Sequence, residues 1–268
     1  MWIVGAVLVL VAIGLFAGSS VQKRKLGLMQ ATQTASAAEL QSLAQSVAKE
    51  IGAGSFAEVT ELKGTIRADH PLVSELAQLE CVYYSMRVSR EYEETYWDTD
   101  PKGNRVRKTR RGSEVVSQNT RQVPFEVQDA SGGMRVEPEG ATFVAEKALS
   151  RFDPGEPGSG SLSSGRWSLA LGTLPLLGSG RRTLGYRYEE EILPVGRSVY
   201  VLGEASDAGG TLAVRKPSKK GMRFMVSLKS EEELVRGAAG LSRALAIAAG
   251  VLGAAGIVLA ALDLAGVL

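Results

Sequence analysis

The charges of this chain are confined to its middle. Nothing between Met1 and Gln22 carries a charged side chain, and residues 244–262 form a second charge-free run bounded by Arg243 and Asp263. All 31 Lys and Arg, and 28 of the 29 Asp and Glu, fall within residues 23–243. Such segregation forbids a single water-soluble core unless both ends are hidden. The stretch WIVGAVLVLVAIGLFAG, residues 2–18, gives about 25 Å of helix at roughly 1.5 Å per residue, and Ser19, Ser20 and Val21 extend it toward the thickness of a hydrocarbon core. The reading that needs least is two transmembrane helices, 2–22 and 240–262, flanking a water-exposed block. A cleaved signal peptide fits the first less well, because the basic triplet Lys23-Arg24-Lys25 follows the apolar run instead of preceding it. A soluble helix as apolar as the second would need burial on every side.

The flanking charges suggest an orientation. Lys23, Arg24 and Lys25 follow the first span, and Arg236 and Arg243 precede the second, which predicts a cytoplasmic central block. The single cysteine, Cys81, fits a reducing compartment. Small residues at four-residue spacing, Gly14 and Gly18 in one span and Ala249 and Gly253 in the other, suggest helix–helix association in lipid.

Within the block, residues 28–53 read as one amphipathic helix. Ser36 and Glu39 have capping-box spacing, Leu40, Leu43, Val47 and Ile51 recur at helical intervals, and Gly52 and Gly54 can end the helix. The stripe is narrow and not strongly basic, so it predicts a helix covering one face of the domain rather than lying on a membrane. Residues 56–234 then alternate β-branched and aromatic runs with turn residues. AEVTELKGTIRA, CVYYSMRVSREYEE, VPFEVQDASGG, MRVEP, ATFVA, YRYEEEIL, SVYVLGEA and RFMVSLK are the predicted strands. Asp129–Gly133 and Asp207–Gly210 are the predicted hairpin turns. The expected fold is therefore an α+β membrane protein. It has two terminal transmembrane helices, a mostly antiparallel and barrel-like β domain, and one amphipathic helix. Residues 153–165 have the composition of a flexible loop. Residues 166–182 are too short and too Pro-broken to span. They are read either as an interfacial segment anchored by Trp167, Arg181 and Arg182, or as a loop folded over the sheet.

One hairpin is distinctive. Glu91, Glu93, Glu94, Asp98 and Asp100 precede a DPKGN turn, and Arg105, Arg107, Lys108, Arg110 and Arg111 follow it. Folding at the turn sets an acidic strand against a basic one, a register favoured by a few tenths of a kcal/mol per pair. The five cations are the candidate interaction surface, for anionic head groups or an acidic partner. Self-neutralisation within the hairpin is the preferred reading.

Reaction chemistry is harder to find. One His and one Cys exclude sites needing two imidazoles, and multi-cysteine zinc or iron–sulfur centres. There is no phosphate loop and no nucleophile elbow, so no catalytic residue, cofactor or metal is expected. The net charge of +2 gives no support for a nucleic-acid partner. Strand alternation would put Cys81 and Tyr83 on one face and Val82 and Tyr84 on the other. His70, before Pro71, reads as a turn residue. A hydrolase using Cys81 is the weakest alternative.

An ordered set of segments nevertheless resembles a known family: LKGTIRA, then PLVS and CVYY with REYEE, PFEVQDASGGMRVEPEGA, YRYEEEILPVGRSVYVLGEA and FMVSLKSEEEL, spanning residues 58–234. These resemble the GIDE/MAPL domain, also called BAM for "beside a membrane", of membrane-anchored E3 ubiquitin ligases. The resemblance implies a domain held between two membrane helices and a role in organelle organisation. In that family the domain faces a non-cytosolic space, opposite to the charge-based orientation. The family's activity resides in a zinc-holding RING after the second helix, and these 268 residues offer no ligands for one. The expectation is a membrane-tethered binding or scaffolding protein whose partners are the lipid bilayer and an unidentified protein. The alternative is a ubiquitin-ligase component that works with a RING supplied elsewhere.

Overall fold

The computed structural model describes residues 2–30, 34–155, 161–170 and 181–264. The chain divides into two units, Met1–Thr34 with Lys229–Leu268, and Ala35–Leu228.

The first unit is a pair of antiparallel helices, α1 (Trp2–Gln30) and α3 (Glu231–Leu264). Helix satisfies every internal backbone group within the segment, which is what an apolar surrounding requires. Their seam is made of small residues seven apart: Gly5, Ala12 and Ser19 are buried against Ser242, Ala249 and Gly256. A Cβ on Gly5 would sit 2.8 Å from the Gly256 carbonyl oxygen, and Ser19 Oγ lies 3.1 Å from Ser242 Oγ. Seven-residue spacing keeps one face turned to a partner along the whole contact. Gly253 also faces this seam, where its Cβ would lie 3.6 Å from Ala12 Cβ; Gly14 looks into open space, and Gly18 reaches only Leu245 Cδ1 at 4.0 Å.

The second unit contains α2 (Ala37–Glu50) and fourteen strands among the described residues. Five of them close into a barrel. They are β1 (Ala57–Arg67), β5 (Phe125–Gln128), β6 (Gly133–Val136), β12 (Ser198–Ser206) and β13 (Ala213–Arg215). The pairing runs β1-β5-β6-β13-β12 and returns to β1. All these pairs are antiparallel except β6 with β13. Numbering the five in chain order gives 1-2-3-5-4-1, the closed Greek-key order of an OB-type barrel. β14 (Met225–Ser227) and β7 (Thr142–Val144) extend the sheet beyond β12.

The barrel interior is Leu62, Ile66, Val127, Val136, Val201 and Val214, and α2 packs against it through Ala37, Leu40 and Ala44. The Ser36–Glu39 capping box is formed. The predicted helix is too long, because residues 28–30 belong to α1. Its buried stripe also differs: Leu43 and Ile51 are exposed. Two turn aspartates hold the helix at both ends. Asp129, in the β5–β6 turn, accepts from the Ala37 N–H at 2.8 Å. Asp207, after β12, accepts from the N–H groups of Gly54 and Phe56, each at 2.9 Å.

The second sheet comes from long insertions between barrel strands. Its members are β2 (Leu72–Val73), β3 (Glu80–Thr99), β4 (Arg105–Gln122), β8 (Glu146–Pro154) and β11 (Arg181–Pro194). β3 is central, with β11 on one edge and β4 on the other; β8 lies outside β11. Strict alternation fails at its base. Pro194 pairs with Cys81 but Leu193 pairs with Tyr83, so Val82 is an extra residue. The bulge puts Cys81 with Tyr84, Met86 and Val88 in one apolar cluster, while Val82 and Tyr83 join the barrel core.

The segment expected to be a flexible loop begins in β8, and its end, β9 (Ser161–Ser164), pairs with β10 (Trp167–Ala170) in a small hairpin; residues 156–160 and 171–180 lie outside the described residues. Trp167 is no interfacial anchor. It is buried, meets Tyr188 edge-on with centroids 6.0 Å apart, and donates from Nε1 to Ser117 Oγ at 3.1 Å.

Candidate functional site

The five candidate cations lie on the β3–β4 hairpin, where the expected acidic strand runs against the basic one: Glu93 faces Arg111 and Glu94 faces Arg110. The turn is fixed by Asp100, whose carboxylate accepts from the backbone of Lys102 and Asn104 at 2.9 and 2.8 Å. Three cations are consumed by pairing: Lys108 with Asp98 at 2.6 Å, Arg110 with Glu94 at 2.7 Å, and Arg111 with Glu93 at 3.8 Å. β11 adds more. Arg181 reaches Glu94 at 3.2 Å, Arg182 reaches Glu93 at 3.0 Å, and Arg187 reaches Glu91 at 2.6 Å. Hydrogen bonds from Arg110 and Arg181 hold the Glu94 carboxyl below the usual range, and Lys108 does the same for Asp98.

The remaining two cations sit with aromatics that charge patterning did not point to. Arg105 lies over the Trp97 ring at 5.4 Å, and Arg107 is the cross-strand neighbour of Trp97 and makes no ion pair among the described residues. Trp97 is 62% exposed and Tyr96 beside it is also exposed, with Arg110 over its ring at 5.5 Å. A large exposed tryptophan needs a reason, since burying it elsewhere would stabilise the fold by roughly 2–3 kcal/mol. The signal in the sequence was the apolar pair Tyr96-Trp97 inside an otherwise charged strand.

Cys81 and His70 do not combine. Cys81 is wholly buried, and burial together with the nearby Glu190 carboxylate pushes its thiol up to about 11. Thiolate, the reactive form, is therefore scarce at neutral pH. His70 is exposed and lines a cleft of about 300 Å³ with Arg67, Glu126 and Arg135, on the outer surface of β1, β5 and β6. Around Cys81 the polar groups are structural. Glu190, fully buried, accepts from the N–H groups of Leu76 and Ala77 at 3.0 and 2.7 Å. Glu75 accepts from the Tyr84 hydroxyl at 2.9 Å and from Asn119 at 2.6 Å, and burial with this partner pushes Tyr84 up to about 12. No group of three or more metal-ligating side chains occurs among the described residues.

The two helices of the first unit fit a membrane-anchored protein. Windows Ile3–Ser20 and Glu231–Asp263 both have mean hydropathy 2.4 and are mostly unburied.

Neither the curated proteins nor the solved structures contain a significant match. Residues 93–261 match the family described as GIDE, E3 Ubiquitin ligase. The match begins within β3 and continues through most of α3, so it covers the hairpin, β11, β12 and the second apolar helix but not the earlier motifs around Gly64 and Cys81. It takes in well over half of the 268 residues, and the chain accordingly belongs to the GIDE family.

Proposed function

We propose that this chain is a two-pass membrane protein whose β body docks a protein partner and carries out no chemistry of its own. The observation that carries the reading is the outer surface of the helix pair. Leu10, Phe16, Ile247 and Val251 are each more than 60% exposed, while Gly5, Ala12, Ser19, Ser242, Ala249 and Gly256 face inward. That arrangement leaves the large apolar side chains for lipid. Both spans would then run from the central body outward, and the flanking cations would put that body in the cytoplasm. The docking surface is the end of the β3–β4 hairpin. Trp97, Tyr96, Arg105 and Arg107 are the residue types that dominate binding hot spots. Its unpaired cation suits a partner segment carrying carboxylates.

A photo-crosslinking residue at position 97 in native membranes tests this. The expected result is a reproducible protein adduct, abolished by Arg107→Glu, from a chain that resists alkaline extraction. Ubiquitin transfer by the purified chain alone would overturn the reading. Protease access to the central body in sealed vesicles reads its side directly.

The family match favours a second reading, a ubiquitin-ligase component. One Cys and one His cannot hold the zinc ions of a RING, so the ligands would have to come from another segment or chain. Transfer that appears only on adding a RING in trans, and disappears with Trp97→Ala, would join the two readings.

A further inference from the structure

A second charged region lies away from the hairpin. Between Asp207 and Glu231 the chain has six Lys and Arg and no acid. Most of these lie in the loop joining β13 to β14. The loop is built, not loose. Pro217 is buried, and Ser218 donates to the Glu204 carboxylate from its N–H at 3.3 Å and from its hydroxyl at 3.0 Å. Arg215 is committed to the fold, donating to the Thr211 carbonyl at 3.1 Å and pairing with Glu137 at 3.4 Å. Four cations are left over. Lys216, Lys219, Lys220 and Arg223 make no ion pair among the described residues, and the three lysines are exposed. With Glu139 in the adjoining turn and the Glu204 carboxylate beneath Ser218 set against them, the four cations keep an excess of two positive charges. Lys216 and Arg223 flank a cavity of about 290 Å³ whose other walls include Thr142, Met222 and Phe224. A lining that combines two cations with apolar side chains matches a phosphodiester joined to a glyceryl ester.

We infer that the β13–β14 loop is a docking surface for anionic phospholipid head groups. The inference rests on the two-span reading. Sixteen residues, 224–239, with Glu231, Glu232 and Glu233 among them, separate Arg223 from the span expected over 240–262, so the loop belongs to a chain already held at a bilayer. Clusters of four or more cations on a membrane-tethered chain gain affinity from an anionic leaflet within reach. Nucleic acid fits less well, because the loop presents no exposed aromatic for base stacking and the chain as a whole is nearly neutral.

The test uses the full chain in nanodiscs of phosphatidylcholine, with or without phosphatidylserine. Acylation by a water-soluble amine reagent is followed lysine by lysine. Labelling of Lys216, Lys219 and Lys220 should slow several-fold in the anionic discs and recover in high salt, with Lys49 and Lys147 unchanged. Arg223→Gln leaves the three reporters in place and should weaken the protection by about fivefold, the contribution of one cation near an anionic surface. Equal labelling in both discs overturns the inference while leaving the spans standing. Protection conferred in phosphatidylcholine discs by inorganic phosphate or a single-stranded oligonucleotide, and not by phosphatidylserine, also overturns it. A chain that does not enter the discs refutes the two-span reading and this inference with it.

Discussion

The barrel and the long sheet are both mainly antiparallel, yet they are held together by different means. In the barrel, β12 is buried at every position but Ser198, and the ring closes so that five short strands share one apolar interior. In the long sheet, β3 alternates buried residues only as far as Ser89, and β4 has no fully buried residue at all. Beyond Arg90 the ladder is lined by ion pairs and aromatic–guanidinium contacts. Closure removes free edges and makes every interior atom count. An open ribbon is sustained by length and by many weak surface pairs, each contributing about 0–1 kcal/mol. Rigidity at the core and tolerance toward the tip follow, and a tolerant tip can carry Trp97 into solvent.

Two glycines offer the hardest test of that contrast. A Cβ on Gly64 in β1 would lie 2.5 Å from the Gln128 carbonyl oxygen, and backbone in a closed barrel cannot step aside. A Cβ on Gly112 in β4 would lie 2.6 Å from Tyr92, whose ring can swing. Gly64→Ala should therefore cost about 3 kcal/mol and Gly112→Ala about 1 kcal/mol or less, by denaturant melting. Equal costs would mean that the ribbon is as tightly determined as the barrel.

Glu190 stands at the junction, on β11 but buried beneath the loop after β2. Replacing it with Ala leaves the Leu76 and Ala77 N–H groups without an acceptor, at a cost of about 2–3 kcal/mol. Glu190→Gln keeps one acceptor and should cost less. Because the Glu190 charge also raises the Cys81 thiol, the Gln variant should shift thiol titration downward from about 11. An unchanged titration would assign the thiol's shift to burial alone.

How far these differences could be read in the sequence depends on the range of the interaction. Local signals carried through: the Ser36–Glu39 box caps α2, DASGG and DAGG turn between paired strands, and the acidic and basic runs of residues 91–111 lie on paired strands of one hairpin. The parallel contact of β6 with β13 joins residues far apart in the chain, and nothing in either segment announces it. The bulge at Val82 was hidden because what accompanies it, the sharing of side chains at the base of β3 between the barrel core and the second cluster, is tertiary. The second half of β4, from Gly112, carries only the adjacent pair Val115-Val116 as large apolar residues, one on each face, so period-two alternation has little to show. In the helix pair, four-residue spacing drew attention to Gly14, while the buried seam repeats every seven residues through Gly5, Ala12 and Ser19. Trp97 was obscured by the charges around it.

A smaller effect is expected where the barrel holds α2. Burial alone would raise the Asp129 carboxyl. The hydrogen bonds from Ser131, Ala37 and Gly132 outweigh it, and the net shift is downward. A carboxyl lowered by folding contributes stability above its ordinary range near 3.8, and loses it as pH falls through the folded value. Asp129→Asn should cost about 1 kcal/mol at neutral pH, measured by melting. The variant should also lack the part of the acid destabilisation that arises below the ordinary value. An identical acid limb in both proteins would remove Asp129 from the account.

The smallest effects belong to the ribbon's ion pairs, and their ranking is itself informative. Glu94 accepts from two arginines, Arg110 and Arg181, and its side chain is 20% exposed. Asp98 has one cationic partner, Lys108, besides the Thr99 N–H, and is 42% exposed. Both carboxyls are lowered by their cations, so both lose their contribution only as the solution becomes acidic enough to protonate them. Neutralising Glu94 removes the carboxylate of Arg110 and leaves Arg181 only its longer pair with Glu114 at 3.8 Å; the two guanidiniums also sit over the rings of Tyr96 and Tyr92. Neutralising Asp98 frees one flexible ammonium into water. Glu94→Gln should lower the melting temperature measurably, and more so at low ionic strength, while Asp98→Asn should leave it unchanged within error. If Asp98→Asn proved the more damaging, the tip would be the ribbon's anchor, and Trp97 would owe its exposure to a stiff support instead of a tolerant one.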